Sequence, residues 1–330
     1  MAEDKTFVGV GMSPLPPLDE VGSTNGKPTI AIMSFGEMGM GIASLLTRYS
    51  YPVVTNLDGR SENTLHRAKS LDVKVLPLDE MLDKASVFLS IVPPAESLTL
   101  ARRVAEAYHP SGRLMPALTY IDLNAISPDL CKKIGETIKP IGITFIDGAI
   151  IGFPPKELED ETWFRPSITM SGPSISDIAG PWTTKLISLL NIRQVGDKIG
   201  DASCLKMCFG GIYKGHTAIF IQAYTTAHRM GVLEPLRQHM AEYFPGVTAV
   251  HESSMYGSQR KAYRWIKEME EVQSTFGNYG GWGPELFTGV GDVFRLLAKE
   301  TDLEKNSRHT VNEITDEICK SLIDKTLNGS

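Results

Sequence analysis

Short apolar runs rich in β-branched residues alternate with segments of helical periodicity from Pro28 to about residue 200. The runs predict strands buried on both faces, and the intervening segments predict helices. Predicted strands follow Pro28 and cover residues 52–55, 87–92, 120–123, 145–147 and 167–171. This alternation predicts an α/β fold with a doubly wound, mostly parallel sheet and a ligand site at the carboxyl ends of its strands.

The pattern changes after about residue 200, where the strand signals disappear. Helical periodicity marks residues 233–244, 259–276, 284–299 and 311–327. A long helix-compatible run from Gly196 to Tyr224 joins the two parts of the chain. We therefore predict an all-helical C-terminal domain at residues 199–330, entered through a long interdomain helix.

The first 27 residues contain prolines, glycines and acidic residues without apolar periodicity, which predicts a disordered tail at residues 1–27. They lack the apolar core of a secretory signal and are too acidic for a typical transit peptide. No stretch reaches the roughly 18 apolar residues that a membrane helix needs. We expect a cytoplasmic protein.

Composition argues against several classes of function. The 330 residues are 42% hydrophobic and 22% charged, which is typical of a globular chain. The formal net charge is -6 and no basic run occurs, so nucleic-acid binding has no electrostatic support. The four cysteines are too few and too scattered for a disulfide framework or a zinc site, and we predict no metal.

The first predicted strand ends in a turn with a glycine motif. Ser34, Gly36 and Gly39 occupy the three positions of G-x-G-x-x-G, with serine in place of the first glycine. The second position lets backbone approach a pyrophosphate closely, and the third lets helix and strand pack together. Phosphate binds well at the helix N-terminus that follows such a turn. We predict a Rossmann domain at residues 28–198 whose dinucleotide contacts include Ser34, Phe35, Gly36, Glu37 and Met38.

The loop after the second strand bears on the choice of dinucleotide. Asp58 follows Gly36 by 22 residues (58 minus 36), about where an acid holds the ribose hydroxyl of NAD. Arg60 and Ser61 come next and could instead clamp the 2′-phosphate of NADP. We favour NADP(H), because the arginine can displace an aspartate that lies just past the strand end. NAD(H) remains the alternative, and Asn56 is a further predicted cofactor contact.

Other strand ends contribute to the same predicted rim. Val92 and Pro93 follow one strand, Asn124 follows the next, and Asp147 and Gly148 end another. Because the carboxyl ends of parallel strands share one edge of a sheet, these residues are expected near a bound ligand. We predict that Val92, Pro93 and Asn124 contact the dinucleotide. The alternative for the proline is a simple strand stop.

A lysine with apolar neighbours lies near the start of the interdomain run. Lys206, Gly210, Tyr213 and Thr217 share one face on the helical repeat. Partial burial among small and apolar neighbours would lower the pKa of the lysine toward neutrality, where it could exchange protons. The alternative is that Lys206 only lays its stem across core residues.

The dinucleotide turn, the Gly196-x-x-x-Gly200 turn and the pair Lys206-Met207 at the start of a long helix form a recognisable set. Together they resemble the β-hydroxyacid dehydrogenases and 6-phosphogluconate dehydrogenase, over residues 28 to about 300. The segments DGAIIGFPP (147–155) and RWIKEMEEVQSTF (264–276) resemble one branch of that superfamily. Its C-terminal domain is described as phosphogluconate-dehydrogenase-like, and its substrate is unassigned.

The resemblance implies roles for particular residues. Lys206 matches the catalytic lysine, which moves the proton of the substrate hydroxyl while hydride passes to or from nicotinamide. Gly210 stands where the family usually has a substrate-orienting asparagine, and Tyr213 where 6-phosphogluconate dehydrogenase has a second acid. Ile151 and Gly152 replace the family's substrate-gripping serine and glycine. These departures remove polar contacts and imply a bulky or apolar substrate.

The predicted function is therefore an NADP-dependent oxidoreductase that acts on a carbonyl or hydroxyl centre, with Trp265 as a further predicted substrate contact. One alternative is an imine reductase, since that class shares the architecture and favours apolar pockets. Another is a catalytically inactive dinucleotide-binding sensor or scaffold. The resemblance also implies a homodimer in which helices are shared across the two-fold axis.

Overall fold

The computed structural model describes residues 26–33, 35–59, 62–71, 73–109, 118–159, 162–175 and 183–327, with backbone only at residues 63 and 324–327. The strands are β1 (Ile30–Met33), β2 (Val53–Thr55), β3 (Lys74–Val75), β4 (Val87–Ser90), β5 (Thr119–Asp122), β6 (Thr144–Ile151), β7 (Lys156–Glu157), β8 (Trp163–Phe164), β9 (Ser167–Ser171) and β10 (Ile192–Gly196). The helices are α1 (Glu37–Arg48), α2 (Glu62–Lys69), α3 (Leu78–Lys84), α4 (Ser97–Ala107), α5 (Pro128–Ile138), α6 (Thr183–Leu189), α7 (Asp201–Arg229), α8 (Leu233–Tyr243), α9 (Pro245–Gly280), α10 (Glu285–Glu300) and α11 (Val311–Leu327).

Eight strands form one sheet in the order β10-β9-β6-β5-β4-β1-β2-β3, and β7 pairs with β8 in a separate hairpin. The pairings in the large sheet are parallel except for β6 with β9. Successive residues of one strand point to opposite faces, so Ile30 and Ile32 join one buried cluster while Ala31 and Met33 join another. Apolar layers therefore cover both faces, which is why these strands lack a polar alternation.

The predicted fold class is confirmed: a Rossmann-like sheet is followed by an all-helical region. Several predicted boundaries were wrong. Strand β6 runs on to Ile151, well past the predicted end at residue 147, because its second half pairs with the antiparallel β9. Strand β10 was missed, since its middle residues are exposed and its sequence IRQVG lacks an apolar run.

The largest correction concerns α9, which has 36 residues where residues 259–276 were predicted. Pro245 occupies its first turn, a position where the missing N–H costs nothing, and Gly281 ends the helix with φ 72°. Two glycines and several β-branched residues hide the helical pattern of its first half. The tertiary packing of its buried face outweighs these weak local preferences.

The chain divides into two compact units, an N-terminal unit that ends at Lys206 and a C-terminal unit that begins at Met207. Helix α7, with 29 residues, starts in the first and continues into the second. In the C-terminal unit, edge-to-face ring pairs pack α9 against α10: Trp265 with Phe294, and Phe276 with Phe287. Within the described part of the chain, none of the helices combines the length and apolar character that a membrane crossing requires.

Candidate cofactor-binding and catalytic site

The turn between β1 and α1 has the geometry that a dinucleotide turn needs. Phe35 is fully buried, Gly36 is the extended N-cap of α1, and the helix proper begins at Glu37. Met40 N–H donates to Gly36 O at 2.9 Å, which closes the first helical turn. The N-terminus of α1 therefore presents backbone amides and the positive end of the helix dipole at the end of β1. Met38 lies in this turn, and Ser34 lies outside the described residues.

The polar residues after β2 are tied to one another. Asn56 is buried, and its Nδ2 donates to Asp58 Oδ2 at 2.8 Å and to Leu76 O at 3.0 Å. Both amide hydrogens of Asn56 are therefore donated to protein acceptors. Asn56 would influence a bound ligand by orienting the Asp58 carboxylate. Arg60 and Ser61 lie outside the described residues.

The strand ends of β4 and β5 are linked through an asparagine. Asn124 Oδ1 accepts from Val92 N–H at 2.7 Å, and Asn124 Nδ2 donates to Ser90 Oγ at 2.9 Å and to Asp122 Oδ2 at 2.9 Å. Asp122 Oδ1 also accepts from Asn124 N–H at 3.0 Å. Pro93 follows Val92 directly and caps a short 3-10 turn at Pro94–Glu96.

Asp122 is nearly inaccessible to solvent, and burial raises the pKa of its carboxyl to about 7. Hydrogen bonding from Asn124 lowers this pKa, and the neighbouring Asp147 raises it. Asp122 pairs in register with Ser90 on one side and with Asp147 on the other. A row of buried polar side chains therefore crosses the sheet at the carboxyl ends of its central strands.

The N-terminus of α7 is fixed to the sheet by Asp147. Its Oδ2 accepts from Gly200 N–H at 2.9 Å and from Ser203 N–H at 3.1 Å, and its Oδ1 accepts from Ser203 Oγ at 2.6 Å. Ser171 Oγ donates to Asp147 Oδ2 at 2.8 Å and accepts from Ala202 N–H at 3.0 Å. The backbone amides at the start of a helix have no intrahelical acceptor. Here the Asp147 carboxyl and the Ser171 hydroxyl accept their hydrogen bonds, and a negative group at this end also interacts favourably with the helix dipole.

This anchor places Lys206 just inside the first two turns of α7. Lys206 is half-buried, and its Nζ donates to Ile150 O at 2.8 Å, near the end of β6. Ile151 and Gly152 follow and are also half-buried. Gly152 has φ 126°, a conformation that side chains rarely adopt, which explains why glycine stands there. The structure thus brings the predicted lysine beside the predicted segment 151–152, within one unit.

In the C-terminal unit, Gly210 lies beside a buried ion pair. Lys214 Nζ bonds Glu268 Oε1, and both side chains are about nine-tenths buried. A Cβ placed on Gly210 would lie 3.5 Å from Glu268 Oε1 and 3.9 Å from Lys214 Nζ. Trp265 is buried and its ring packs under Lys214 Nζ, at 5.5 Å from the centroid. The predicted substrate contacts Gly210 and Trp265 therefore adjoin the same charged pair.

Tyr213 lies in a neighbouring group of rings. Its ring centroid is 6.0 Å from that of the buried His251, which also packs edge-on against His216 at 5.1 Å. Thr217 Oγ1 lies 3.5 Å from His251 Nδ1 and donates to Tyr213 O at 2.9 Å. Burial and, to a smaller extent, the neighbouring His216 lower the pKa of His251 to about 4, so the imidazole is neutral near pH 7.

Sequence reasoning missed Lys214, Glu268 and the role of Asp122. Lys214 follows Lys206 by eight residues (214 minus 206), so helical spacing could have placed it on the predicted face. Glu268 is separated from Lys214 by 54 residues, and no local pattern indicates that contact. Asp122 could have been noticed as an acid inside a buried strand.

Comparisons with known proteins give the same architecture. Residues 227–297 match the family described as Domain of unknown function (DUF1932). The solved structure of the conserved protein MTH1747, described as of unknown function and similar to 3-hydroxyacid dehydrogenases, is 27% identical; it covers 82% of this chain and 96% of its own, with a TM-score of 0.58. In its fold and in its C-terminal domain, the chain is therefore similar to β-hydroxyacid dehydrogenase-like proteins. The resemblance inferred from the sequence is confirmed.

Other proteins are similar to this chain at lower sequence identity. Mycobacterium tuberculosis 3-hydroxyisobutyrate dehydrogenase, solved with L-serine, is 17% identical over 82% of this chain and 94% of its own, with a TM-score of 0.60. An imine reductase from Streptomyces aurantiacus is 15% identical, and the match covers 89% of this chain and 99% of that protein, with a TM-score of 0.52. An uncharacterized 28.5 kDa protein of Methanothermus fervidus is 26% identical over 217 residues, which cover 64% of this chain and 77% of that protein.

Proposed function

We propose that the protein is an NADP(H)-dependent oxidoreductase that acts on a carbonyl or hydroxyl centre of a bulky or apolar substrate. The observation that carries the proposal is the placement of Lys206. Its helix is fixed to Asp147 of β6, which lies level with the carboxyl end of β5, and to Ser171 at the end of the antiparallel β9. The carboxyl ends of the parallel strands are the edge of an α/β sheet where ligands bind. The superfamily fold, the β1–α1 turn and a half-buried amine at this edge fit nicotinamide-dependent chemistry.

The β1–α1 turn fits a dinucleotide because Gly36 adds no side chain where pyrophosphate backbone contacts form, and α1 directs its N–H groups there. Contacts would come from Phe35, Gly36, Glu37 and Met38, and from the sequence-predicted Ser34. The bound cofactor supplies hydride, which the side chains of the chain cannot do. Arg60 and Ser61 support NADP(H) over NAD(H) by sequence alone, through charge-assisted bonds to a 2′-phosphate.

In the reductive direction the chain's own part is to orient the carbonyl and supply a proton. Protonated Lys206 donates from Nζ to the carbonyl oxygen as the carbon accepts hydride, and the same group takes the proton back in oxidation. Its bond to Ile150 O holds the ammonium in place before substrate arrives. Tyr213 is the second candidate proton donor.

The substrate class follows from the residues predicted as substrate contacts. Ile151 and Gly152 offer an aliphatic side chain and bare backbone, and Gly210 offers no side chain where the family usually has asparagine. Trp265 adds an aromatic surface next to Gly210's neighbours Lys214 and Glu268. A small polar hydroxyacid would find few polar partners among these residues, whereas a larger apolar carbonyl compound would bury more surface.

The decisive experiment follows NADPH consumption with bulky ketones, β-ketoacids and cyclic imines for the full-length chain and for Lys206→Met. We expect turnover with a carbonyl compound, a loss of about a hundredfold or more in Lys206→Met, and unchanged NADPH affinity. Lys198→Met, an exposed lysine just before α7, is the matched control. Turnover of the imines alone would favour imine reduction, and NADPH binding without any turnover would favour a sensor or scaffold.

The same proposal includes a homodimer formed through α7. In the C-terminal unit, residues 209, 212, 216, 219, 223, 226 and 230 are spaced alternately by three and four, as on the seam of a coiled coil. Of these, Phe209, Ile212, Ile219 and Met230 are 44%, 63%, 53% and 74% exposed. A stripe of this kind along a soluble helix favours pairing with a second copy.

Light scattering at micromolar concentration tests the dimer. We expect twice the chain mass for the wild type and for Gln238→Glu, which adds a charge at an exposed position of α8. Ile212→Glu and Ile219→Glu should shift the mass toward that of one chain, because a buried unpaired carboxylate opposes association. A monomeric wild type would rule the dimer out.

A further inference from the structure

The chain segments that leave β4 and β5 are held together by a hydrogen-bonded fork. Asp122 grips Asn124 at two points, its backbone N–H at 3.0 Å and its side-chain Nδ2 at 2.9 Å. Asn124 in turn accepts from Val92 N–H at 2.7 Å. The three residues are buried, so their polar groups depend on these bonds because water does not reach them. We refer to Asp122, Asn124 and Val92 N–H as the strand-end latch.

The hydrogen-bonding capacity of Asn124 is almost used up inside the latch. A primary amide has two donors, and Asn124 Nδ2 directs both at protein, one to Ser90 Oγ and one to Asp122 Oδ2. Its Oδ1 already accepts from Val92, with one lone pair to spare. The side chain is therefore better placed to shape the backbone at Val92 than to donate to a dinucleotide.

The backbone that the latch holds has few other constraints of its own. Pro93 and Pro94 follow Val92 and have no N–H, so neither can secure the segment by donating to the sheet. Ile91 N–H donates to Met33 O at 3.3 Å, and Glu96 N–H donates to Pro93 O at 2.9 Å. Between these two points the Val92 amide is the backbone donor that ties the segment to β5.

We propose that Asp122 and Asn124 are positioning residues that fix the Val92–Pro93 segment in the shape that receives the dinucleotide. This inference rests on the proposed function, because it concerns the rim of that cofactor site. It replaces direct contact by Asn124 with an indirect role, and it assigns a role to Asp122, which touches neither cofactor nor substrate in this account.

An exchange of the two side chains separates positioning from general support of the fold. In Asp122→Asn an amide donor faces Asn124 Nδ2 or Asn124 N–H, and in Asn124→Asp two carboxyl oxygens face each other; each variant breaks the fork. The double variant Asp122→Asn/Asn124→Asp restores it with reversed polarity. Nδ2 of residue 122 then donates to residue 124, whose Oδ1 still accepts from Val92.

Two measurements are made on the full-length chain: NADPH affinity by calorimetry and hydrogen exchange of the Val92 amide by NMR. We expect each single variant to bind NADPH about tenfold more weakly and to exchange the Val92 amide faster, and the double variant to recover both properties. Thr169→Val, which removes the buried hydroxyl bond to Ala149 O on another strand, is the control that should leave both unchanged.

The outcomes are distinct. Wild-type affinity in the single variants, with faster Val92 exchange, would show that the latch exists and has no role in binding, which overturns the inference alone. If the single variants bind NADPH more weakly and the double variant does not recover the affinity, Asp122 and Asn124 only support the fold in general. That result would also overturn the inference. A wild type that binds neither NADPH nor NADH would overturn the proposed function, and the positioning role with it. If Asn124→Asp fails to fold, Asp122→Asn with the double variant gives the same comparison.

Discussion

The two units bury ionisable groups in opposite ways. In the N-terminal unit, the buried carboxyl groups of Asp122 and Asp147 accept hydrogen bonds from backbone amides, hydroxyls and an asparagine. In the C-terminal unit, the buried carboxylate of Glu268 pairs with the ammonium of Lys214. The half-buried Glu252 likewise forms a two-point bond with Arg237, at 2.8 and 3.1 Å.

The difference follows from secondary structure. The carboxyl edge of a parallel sheet meets the N-terminus of a helix, where amides without intrahelical partners can bind an acid. The middle of a helix has no such amides, so buried charges between α7 and α9 need a side chain of opposite charge. The donors at the sheet edge fix the start of α7 to β6 and β9, and the ion pairs of the C-terminal unit fix the packing of its helices.

The largest effect should come from removing the acid that anchors α7. Asp147→Ala leaves the amides of Gly200 and Ser203 and two hydroxyl groups without their acceptor, and we expect a loss of roughly 5 kcal/mol or more in the free energy of unfolding. Asp201→Asn alters an acid in the same helical turn that is only half-buried, and should cost under about 1 kcal/mol. Urea unfolding measures both losses. Equal losses of stability in the two variants would contradict the conclusion that Asp147 anchors α7.

A second effect concerns the pH dependence of the N-terminal unit. The folded chain holds the proton of Asp122 up to about pH 7, whereas an unfolded aspartate releases it near 3.8. Between these values the folded state binds more protons, so the contribution of Asp122 to the free energy of unfolding falls as pH rises, by up to about 4 kcal/mol. Asp122→Asn has no carboxyl to titrate at this position and lacks this pH-dependent contribution. The free energy of unfolding of the variant, relative to the wild type, should therefore rise between about pH 4 and about pH 7.

The test of this slope is urea unfolding of the wild type and Asp122→Asn across that range. The groups facing Asp122 are Asp147 on β6, Cys131 on α5 and Tyr120 on β5, and burial raises the pKa of the thiol and the phenol well above their usual values. Neither of these two groups ionises in the tested range. A difference between the two proteins that stays constant with pH would contradict the assignment to Asp122.

A third effect should appear in the ion pair of the C-terminal unit. Lys214→Met leaves Glu268 as a buried carboxylate without its ammonium partner, and we expect a loss of about 3 kcal/mol. The double variant Lys214→Met/Glu268→Met should be more stable than the single one, because the isolated charge is gone. Arg295→Met breaks an exposed pair with Asp292 on α10 and should cost under about 1 kcal/mol. Thermal and urea unfolding of the three variants test whether the loss of stability is larger for the buried pair than for the exposed one.

The last effect is the opposite pH slope in the C-terminal unit, which is complete only at the acid end of the range. The folded pKa of His251 is about 4, below the ordinary value of 6.5, so the unfolded state binds more protons between them. The stability that neutral His251 contributes is complete above about pH 6.5 and is lost as pH falls toward 4, by up to about 3 kcal/mol. His251→Phe should flatten this acid-side loss. Hydrogen exchange resolved by unit would detect it, and a slope of the same sign in both units would contradict the comparison.

Local sequence signals were sufficient for the fold class and for the position of some candidate site residues in the fold. Alternation of apolar strands with helices, the glycines after β1 and the position of Lys206 all depend on neighbours within a few turns. The ends of β4 and β5 could be expected at one edge, because parallel strands order their ends together. Those signals place Val92 and Asn124 at the ends of neighbouring strands, but they do not indicate the hydrogen bond between the two residues.

The remaining features depend on contacts between distant residues. Asp147 meets Ser203 across 56 positions, and Lys214 meets Glu268 across 54, so neither pair leaves a periodic trace. Strand β10 forms because β9 offers a partner edge, although its own residues are largely exposed. The direct cofactor role predicted for Asn124 becomes a proposal about positioning only once its two donors are traced to their acceptors.

The central claim is that the chain binds NADP(H) at the β1–α1 turn and the adjoining strand ends. Calorimetric titration of the full-length protein with NADPH and, separately, with NADH tests it most directly, in the wild type and in Arg60→Ala. We expect tight NADPH binding, weaker NADH binding, and loss of the preference in Arg60→Ala, since the guanidinium would pair with the 2′-phosphate. Binding of neither dinucleotide by the wild type would contradict the account and leave only the Rossmann-like fold.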